Sequence, residues 1–194
     1  MQQSDNAGNQ QATVSEAEKG WLAGLIDGEG CIHVDVDPRG GAHPYLTITN
    51  SNFAITEKAF DIWQRLGIGA RVQTRQRQKE GWNPVKDVQV IGYKRLKPAL
   101  IAIMPYLVGK ADEALLLYRF VESRLSRFSN NTTNRLRQYN QEEVDLIYAL
   151  KDKKLRNKVL RDYTPNSKNA EDIVRTARRR VEAGRNSQPR LISE

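Results

Sequence analysis

Two carboxylates, Asp27 and Glu29, stand two positions apart in Gly24-Leu25-Ile26-Asp27-Gly28-Glu29-Gly30. A helix running into this stretch stops at its glycines, because glycine ends helices readily. The acids then sit at a helix C-terminus, where the dipole disfavours negative charge. Stability alone does not put them there. A bound divalent cation reverses the balance, since carboxylate and backbone carbonyl oxygens are hard ligands suited to Mg2+. The bland alternative is a pair of solvated acids in a loop. Other chemistries lack residues. Cys31 is the single cysteine, which rules out an intrachain disulfide and a cysteine zinc site. His33 and His43 are the only histidines, and neither lies in a nucleophile motif.

A second stretch is rich in side chains that recognise polyanions. In Arg71-Val72-Gln73-Thr74-Arg75-Gln76-Arg77-Gln78-Lys79 a strand places Arg71, Gln73, Arg75, Arg77 and Lys79 on one face. Arg and Gln are the side chains that pair bidentately with guanine and adenine in the major groove. The formal net charge is +8, and it is unevenly spread. Residues 65–97 hold 9 Lys+Arg against 2 acids, and residues 151–194 hold 13 against 6, so each zone is net +7. Two such zones suggest a polyanion partner, nucleic acid first; a solvated surface is the alternative.

The elements that must position these residues follow from periodicity. Ser15-Glu16-Ala17-Glu18 has the form of a capping box, which predicts a helix through Trp21, Leu22, Leu25 and Ile26. Ile32, Val34 and Val36 then alternate with His33, Asp35 and Asp37, a turn falls at Pro38-Arg39-Gly40-Gly41, and a strand runs from Tyr45 to Asn50. A helix with Ile55, Ala59, Ile62, Trp63 and Leu66 inward closes at Gly67 and Gly69. A strand pair over 71–78 and 85–91, a short helix over 96–104, a break at Pro105 and a helix over 110–125 complete the order αββαββα. Hairpins separated by helices predict an α+β domain with helices on one sheet face. Residues 1–14 read as a disordered lead and 126–140 as a linker. Residues 141–194 read as a basic helical extension, with Val144, Ile147 and Tyr148 inward in its first helix and a thin apolar stripe in a last helix over 170–183. The lead has no Lys, Arg or apolar run, so it reads as neither a secretory nor a mitochondrial leader, and no stretch approaches a membrane span.

Leu22-Ala23-Gly24-Leu25-Ile26-Asp27-Gly28-Glu29-Gly30 resembles the signature of the LAGLIDADG homing endonucleases, matching it at seven of nine positions, with Gly28 for Ala and Glu29 for Asp. The resemblance covers roughly residues 15–125. It implies the αββαββα unit with an antiparallel DNA-binding sheet. It also implies phosphodiester hydrolysis with Mg2+, Mn2+ or Ca2+ being able to take its place in binding. The metal falls to Glu29 and the backbone of Gly28, while Asp27 matches an acid with a mainly structural role. Asn52 falls where the family places a polar residue near the metal-bound water, although it equally suits an N-cap. Lys110 falls on the lysine that contacts the water network in relatives. Thr56 stands where some relatives carry a basic residue.

One motif per chain implies a homodimer on a near-palindromic site of double-stranded DNA. Gly20, Gly24 and Gly28 recur every four residues and leave a flat helix face; with Trp21, Leu25 and Asp27 they form the expected dimer interface. The expected DNA surface is His33, Asp35, Asp37, Arg39, Tyr45, Thr47, Thr49, Arg71, Gln73, Arg75, Arg77, Lys79, Lys86, Asp87 and Gln89. The same resemblance leaves room for an intron RNA maturase or a cleavage-dead DNA-binding regulator. Any of these works inside a cell or organelle, with no membrane partner.

Overall fold

The computed structural model describes residues 13–76, 81–127, 138–152, 156 and 159–160. Arg77, Lys79 and the helix expected over 170–183 lie outside them, as does most of the lead. The order is α1 (Glu16–Glu29), β1 (Gly30–Val36), β2 (Ala42–Asn50), α2 (Phe53–Arg65), β3 (Arg71–Arg75), β4 (Val85–Ile91), α3 (Tyr93–Ile103), a 3-10 turn (Met104–Tyr106), α4 (Ala111–Arg127) and α5 (Gln141–Lys151). This is the α+β architecture that the alternation of hairpins and helices predicts.

The capping box at Ser15 forms: the hydroxyl accepts from the Glu18 N–H and the Glu18 carboxylate accepts from the Ser15 N–H. Glu18 also pairs with Arg65 of α2, which ties the starts of the chain's packing to the end of a second helix. Gly67, with φ +71°, ends α2 in a conformation that glycine tolerates.

The sheet is antiparallel, in the order β1-β2-β4-β3. Its strands alternate. Ile32, Val34, Leu46, Ile48, Val88 and Val90 are buried on the face that receives the helices. Leu22, Ala23 and Ile26 of α1, Ile62 and Trp63 of α2, Leu100 of α3 and Phe120 of α4 fill the other side of that core. Thus no helix among the described residues covers the second face of the sheet, and its side chains are mostly polar. No helix among the described residues is long and apolar enough to cross a membrane.

Two expectations change. The first helix of the C-terminal extension is part of the core: Leu146, Ile147, Ala149 and Leu150 of α5 join the same apolar cluster. Its buried face is 143-146-147-150, one step around from the expected one, so Tyr148 is 58% exposed and only Ile147 of the three expected residues is buried. The rotation follows from Glu143. Its carboxylate is fully buried and accepts from Ser123 (2.9 Å), Arg124 (3.2 Å) and Arg127 (2.5 Å) of α4, which fixes that face inward. Second, β3 stops at Arg75.

Candidate active site and nucleic-acid interface

The end of α1 is built by three contacts. Gly30 leaves the helix directly into β1, and a Cβ there would lie 2.7 Å from the Ile26 backbone, so only glycine fits. The Asp27 carboxylate turns inward and accepts the backbone N–H groups of Val108 (2.7 Å) and Lys110 (2.8 Å). The Lys110 ammonium then donates to the Ile26 carbonyl (3.0 Å) and to the Asp27 carbonyl. A cation thus sits on the last carbonyls of the helix, where the dipole favours positive charge, and it shares the Ile26 carbonyl with the Gly30 N–H. Asp27 and Lys110 are joined through the chain they both hold. Glu29 is left exposed at the last position of the helix.

The donors at this corner are hard oxygens: the Glu29 carboxylate and the Gly28 carbonyl. They fit a hydrated Mg2+ or Ca2+. One chain offers a single free acid here, and among the described residues no group of three His, Cys, Asp or Glu is set to hold a metal. These donors alone are too few to hold a cation, so water, a phosphate or a second chain would have to complete any coordination shell here.

Asn52 is the N-cap of α2: its side-chain oxygen accepts from the Ala54 N–H (3.1 Å). Thr56 is fully buried, and its hydroxyl donates to the Phe53 carbonyl (2.8 Å), so it does not face the corner.

The sheet face opposite the described helices carries His33, Asp35, Tyr45, Thr47, Thr49, Arg71, Gln73, Arg75, Asp87 and Gln89, matched across strands by register. Its groups are largely paired with one another. Arg75 grips Asp87, with a second nitrogen at 3.0 Å, and Thr49 donates to the same carboxylate at 2.6 Å. Burial alone would raise the Asp87 carboxyl, but the bonds from Arg75 and Thr49 outweigh it and hold it below its ordinary value. His33 lies 3.0 Å from Asp35, and His43 lies 2.9 Å from Asp37. The His43 bond and the Gly41 N–H bring the Asp37 carboxyl to about 2. Tyr45 is pushed up to about 12 by burial and by Asp35. Arg71 and Gln73 stand exposed on the edge strand. Thr47 Oγ1 is buried without a hydrogen-bond partner.

Lys86 corrects an expectation. It alternates with Asp87 and faces the helices, with its nitrogen 2.6 Å from Glu57 and 4.5 Å from the centre of the Phe53 ring. Asp87, expected to read bases, is 1% exposed. Arg39 is exposed in the turn beyond the hairpin.

The α1 face of small residues is open at Gly24 and Gly28, where a Cβ would meet nothing within 4 Å; at Gly20 it would meet Tyr106 at 3.9 Å. Trp21 and Leu25 are half-buried beside that face, whereas Asp27 is turned away to its own chain. Sequence reading missed the Asp27 latch, the Tyr93 and Tyr139 hydroxyls that bond the Ala42 backbone, and the buried Glu143. Of these only Glu143 had a local signal, the Asn140-Gln141-Glu142-Glu143 capping box.

Residues 16–99 match the family model described as LAGLIDADG-like domain. No curated protein matches the chain in sequence. The chain is similar in structure to the homing endonuclease I-CvuI, crystallised with its target in the presence of calcium. The identity is 22%, the TM-score 0.52, and the match covers 84% of this chain and 94% of that one. The archaeal intron-encoded homing endonuclease I-Vdi141I, complexed with DNA, matches at 15% identity and TM-score 0.49, over 84% of this chain and 96% of that one.

Proposed function

We propose that this chain, whose residues 16–99 are a LAGLIDADG-like domain, is a site-specific DNA endonuclease. It acts as a homodimer, one motif from each copy, and hydrolyses phosphodiester bonds with a divalent metal. The observation that carries this reading is the corner at the end of α1. Asp27 and Lys110 satisfy each other's surroundings and leave Glu29 exposed at the tip of the helix.

Glu29 and the Gly28 carbonyl would hold the cation, Mg2+ by donor type. When bound, a divalent cation there supplies activation of a water and stabilisation of charge on the phosphate. Lys110 keeps a second positive charge at the same helix end, which attracts and orients a phosphate. Asn52 and the polar sheet face lie on the elements that follow, and the face supplies Arg71, Gln73 and Arg75 for base and phosphate contacts. The open glycine face of α1 supports the dimer, because missing side chains let two helix backbones approach closely. The first copy then brings one Glu29 and the second copy the other, one for each strand.

The test selects bound duplexes from a random library and places a selected site in a supercoiled plasmid. Mg2+-dependent conversion to linear DNA supports the reading. Binding without cleavage assigns the chain to the cleavage-dead regulators instead, and preference for intron RNA assigns it to the maturases.

A further inference from the structure

The β1–β2 hairpin is longer than the sheet that supports it. β1 pairs with β2 over seven rungs, Gly30↔Ile48 to Val36↔Ala42, but β4 accompanies β2 only from Tyr45 to Asn50. The last rungs therefore overhang. Along the overhang β1 is the one neighbour strand of β2 among the described residues, and backbone groups on the other side need other partners. The Asp37 N–H donates to the Gly41 carbonyl (2.9 Å). By antiparallel alternation this turns the N–H and C=O of Ala42 away from β1, to the side where β4 would lie. Pro44, the next outward residue, has no N–H to satisfy.

Both groups of Ala42 are taken by tyrosine hydroxyls. Its N–H donates to Tyr139 (2.6 Å), and its carbonyl accepts from Tyr93 (3.0 Å). The two hydroxyls replace a rung of the missing strand. Tyr139 is itself fixed. The Arg124 guanidinium lies 4.5 Å from the centre of its ring and is buried in the ion pair with Glu143 of α5. Beyond the tyrosines the tip loses support. A cavity of about 270 Å3 lies under it, lined by Val36, Gly40, Tyr139, Val144, Ile147 and Tyr148. The overhang carries Asp35 and His43, with Asp37 following β1.

We infer that Tyr93 and Tyr139 are positioning residues: they set where the overhanging end of the β1–β2 hairpin stands, and so the base discrimination of the side chains it carries, without touching DNA. The inference rests on the reading of the sheet face as the DNA surface. It gives α5 and the residues before it a part in specificity that does not depend on basic charge.

The test uses the full chain, as wild type, Tyr139→Phe and Tyr93→Phe. Hydrogen exchange is measured without DNA. Binding is measured to a duplex selected by the wild type from a random library and to its single-base variants. Loss of one hydrogen bond should raise exchange about fivefold at Asp35, Asp37, Ala42 and His43, with the amides between β2 and β4 unchanged. Discrimination should fall about fivefold at the bases facing the hairpin end and hold at those facing β3. The salt dependence of binding should stay the same, since phosphate contacts are untouched. Unchanged exchange in both variants overturns the brace. Raised exchange with full discrimination overturns the positioning role. If the wild type prefers no duplex, the DNA reading of the face falls and the specificity role with it, and the exchange arm still decides the brace.

Discussion

The corner at the end of α1 and the polar face of the sheet treat charge in opposite ways. At the corner, Asp27 and Lys110 are spent on backbone groups, and this leaves Glu29 outward with nothing to break before it can bind a cation. On the sheet face, Arg75 is already bonded to Asp87, His33 to Asp35 and His43 to Asp37. A ligand there must trade an existing pair for a new one. Preorganised groups contribute their full interaction at the moment of use, whereas exchanged pairs contribute only a difference. Changes at the corner should therefore cost far more than changes on the face.

The largest effect expected is from Glu29→Gln. The substitution keeps the shape and removes the charge. Cleavage should fall on the order of 10^3-fold, with affinity for the site nearly unchanged. Single-turnover cleavage and equilibrium binding on the same duplex check this. Wild-type cleavage would remove the contrast between corner and face.

Asp27→Asn is next. It leaves the N–H groups of Val108 and Lys110 competing for one carbonyl oxygen, at roughly 1–3 kcal/mol for the unsatisfied donor. Thermal melting should show the loss of stability. Cleavage should fall about tenfold as Lys110 loses its seat, and a denaturant midpoint equal to wild type would show that the latch does not hold the loop.

Much of this frame was readable in the chain. Ser15 and Glu18 announce the start of α1, and alternation at Ile32, Val34, Leu46 and Ile48 announces the hairpin with its polar face. The partners of Asp27, by contrast, lie 81 and 83 residues away, and those of Ala42 lie 51 and 97 away. No local pattern encodes such pairings. Lys86 shows a different limit: strict alternation along β4 already sets it opposite Asp87, and grouping by charge alone put both on one surface. Tyr148 shows a third. An apolar stripe was legible in α5, but which stripe turned inward was decided by the buried Glu143, a residue that hydrophobic patterning scores as surface.

On the face, Arg75→Ala should weaken DNA binding only about fivefold, because the wild type gives up the Asp87 bond to make its contact. The log–log salt slope should drop by about 1 if the contact is to a phosphate. Titration at several salt concentrations measures both. A loss as deep as that of Glu29→Gln in cleavage would erase the distinction drawn between the regions.

The smallest effect concerns Asp37. Its carboxyl lies at about 2 in the folded chain, against an ordinary value of about 3.9. A depressed carboxyl contributes stability above its unfolded pKa and loses it as pH falls through the folded value. The contribution is therefore present above about pH 4 and is lost toward pH 2. Asp37→Asn should lower the melting temperature slightly above about pH 4 and converge with the wild type toward pH 2, which flattens the acid limb in that window. An unaltered acid limb would show that the His43–Asp37 pair carries no stability.

The central claim is that one Glu29 serves one strand and that two copies are needed to cut both. A heterodimer purified through two different affinity tags, wild type in one copy and Glu29→Gln in the other, tests it on a supercoiled plasmid carrying the selected site. With Mg2+ it should yield nicked circles and stop there. Linear DNA at the wild-type rate would contradict the claim, since a single Glu29 would then suffice for both strands.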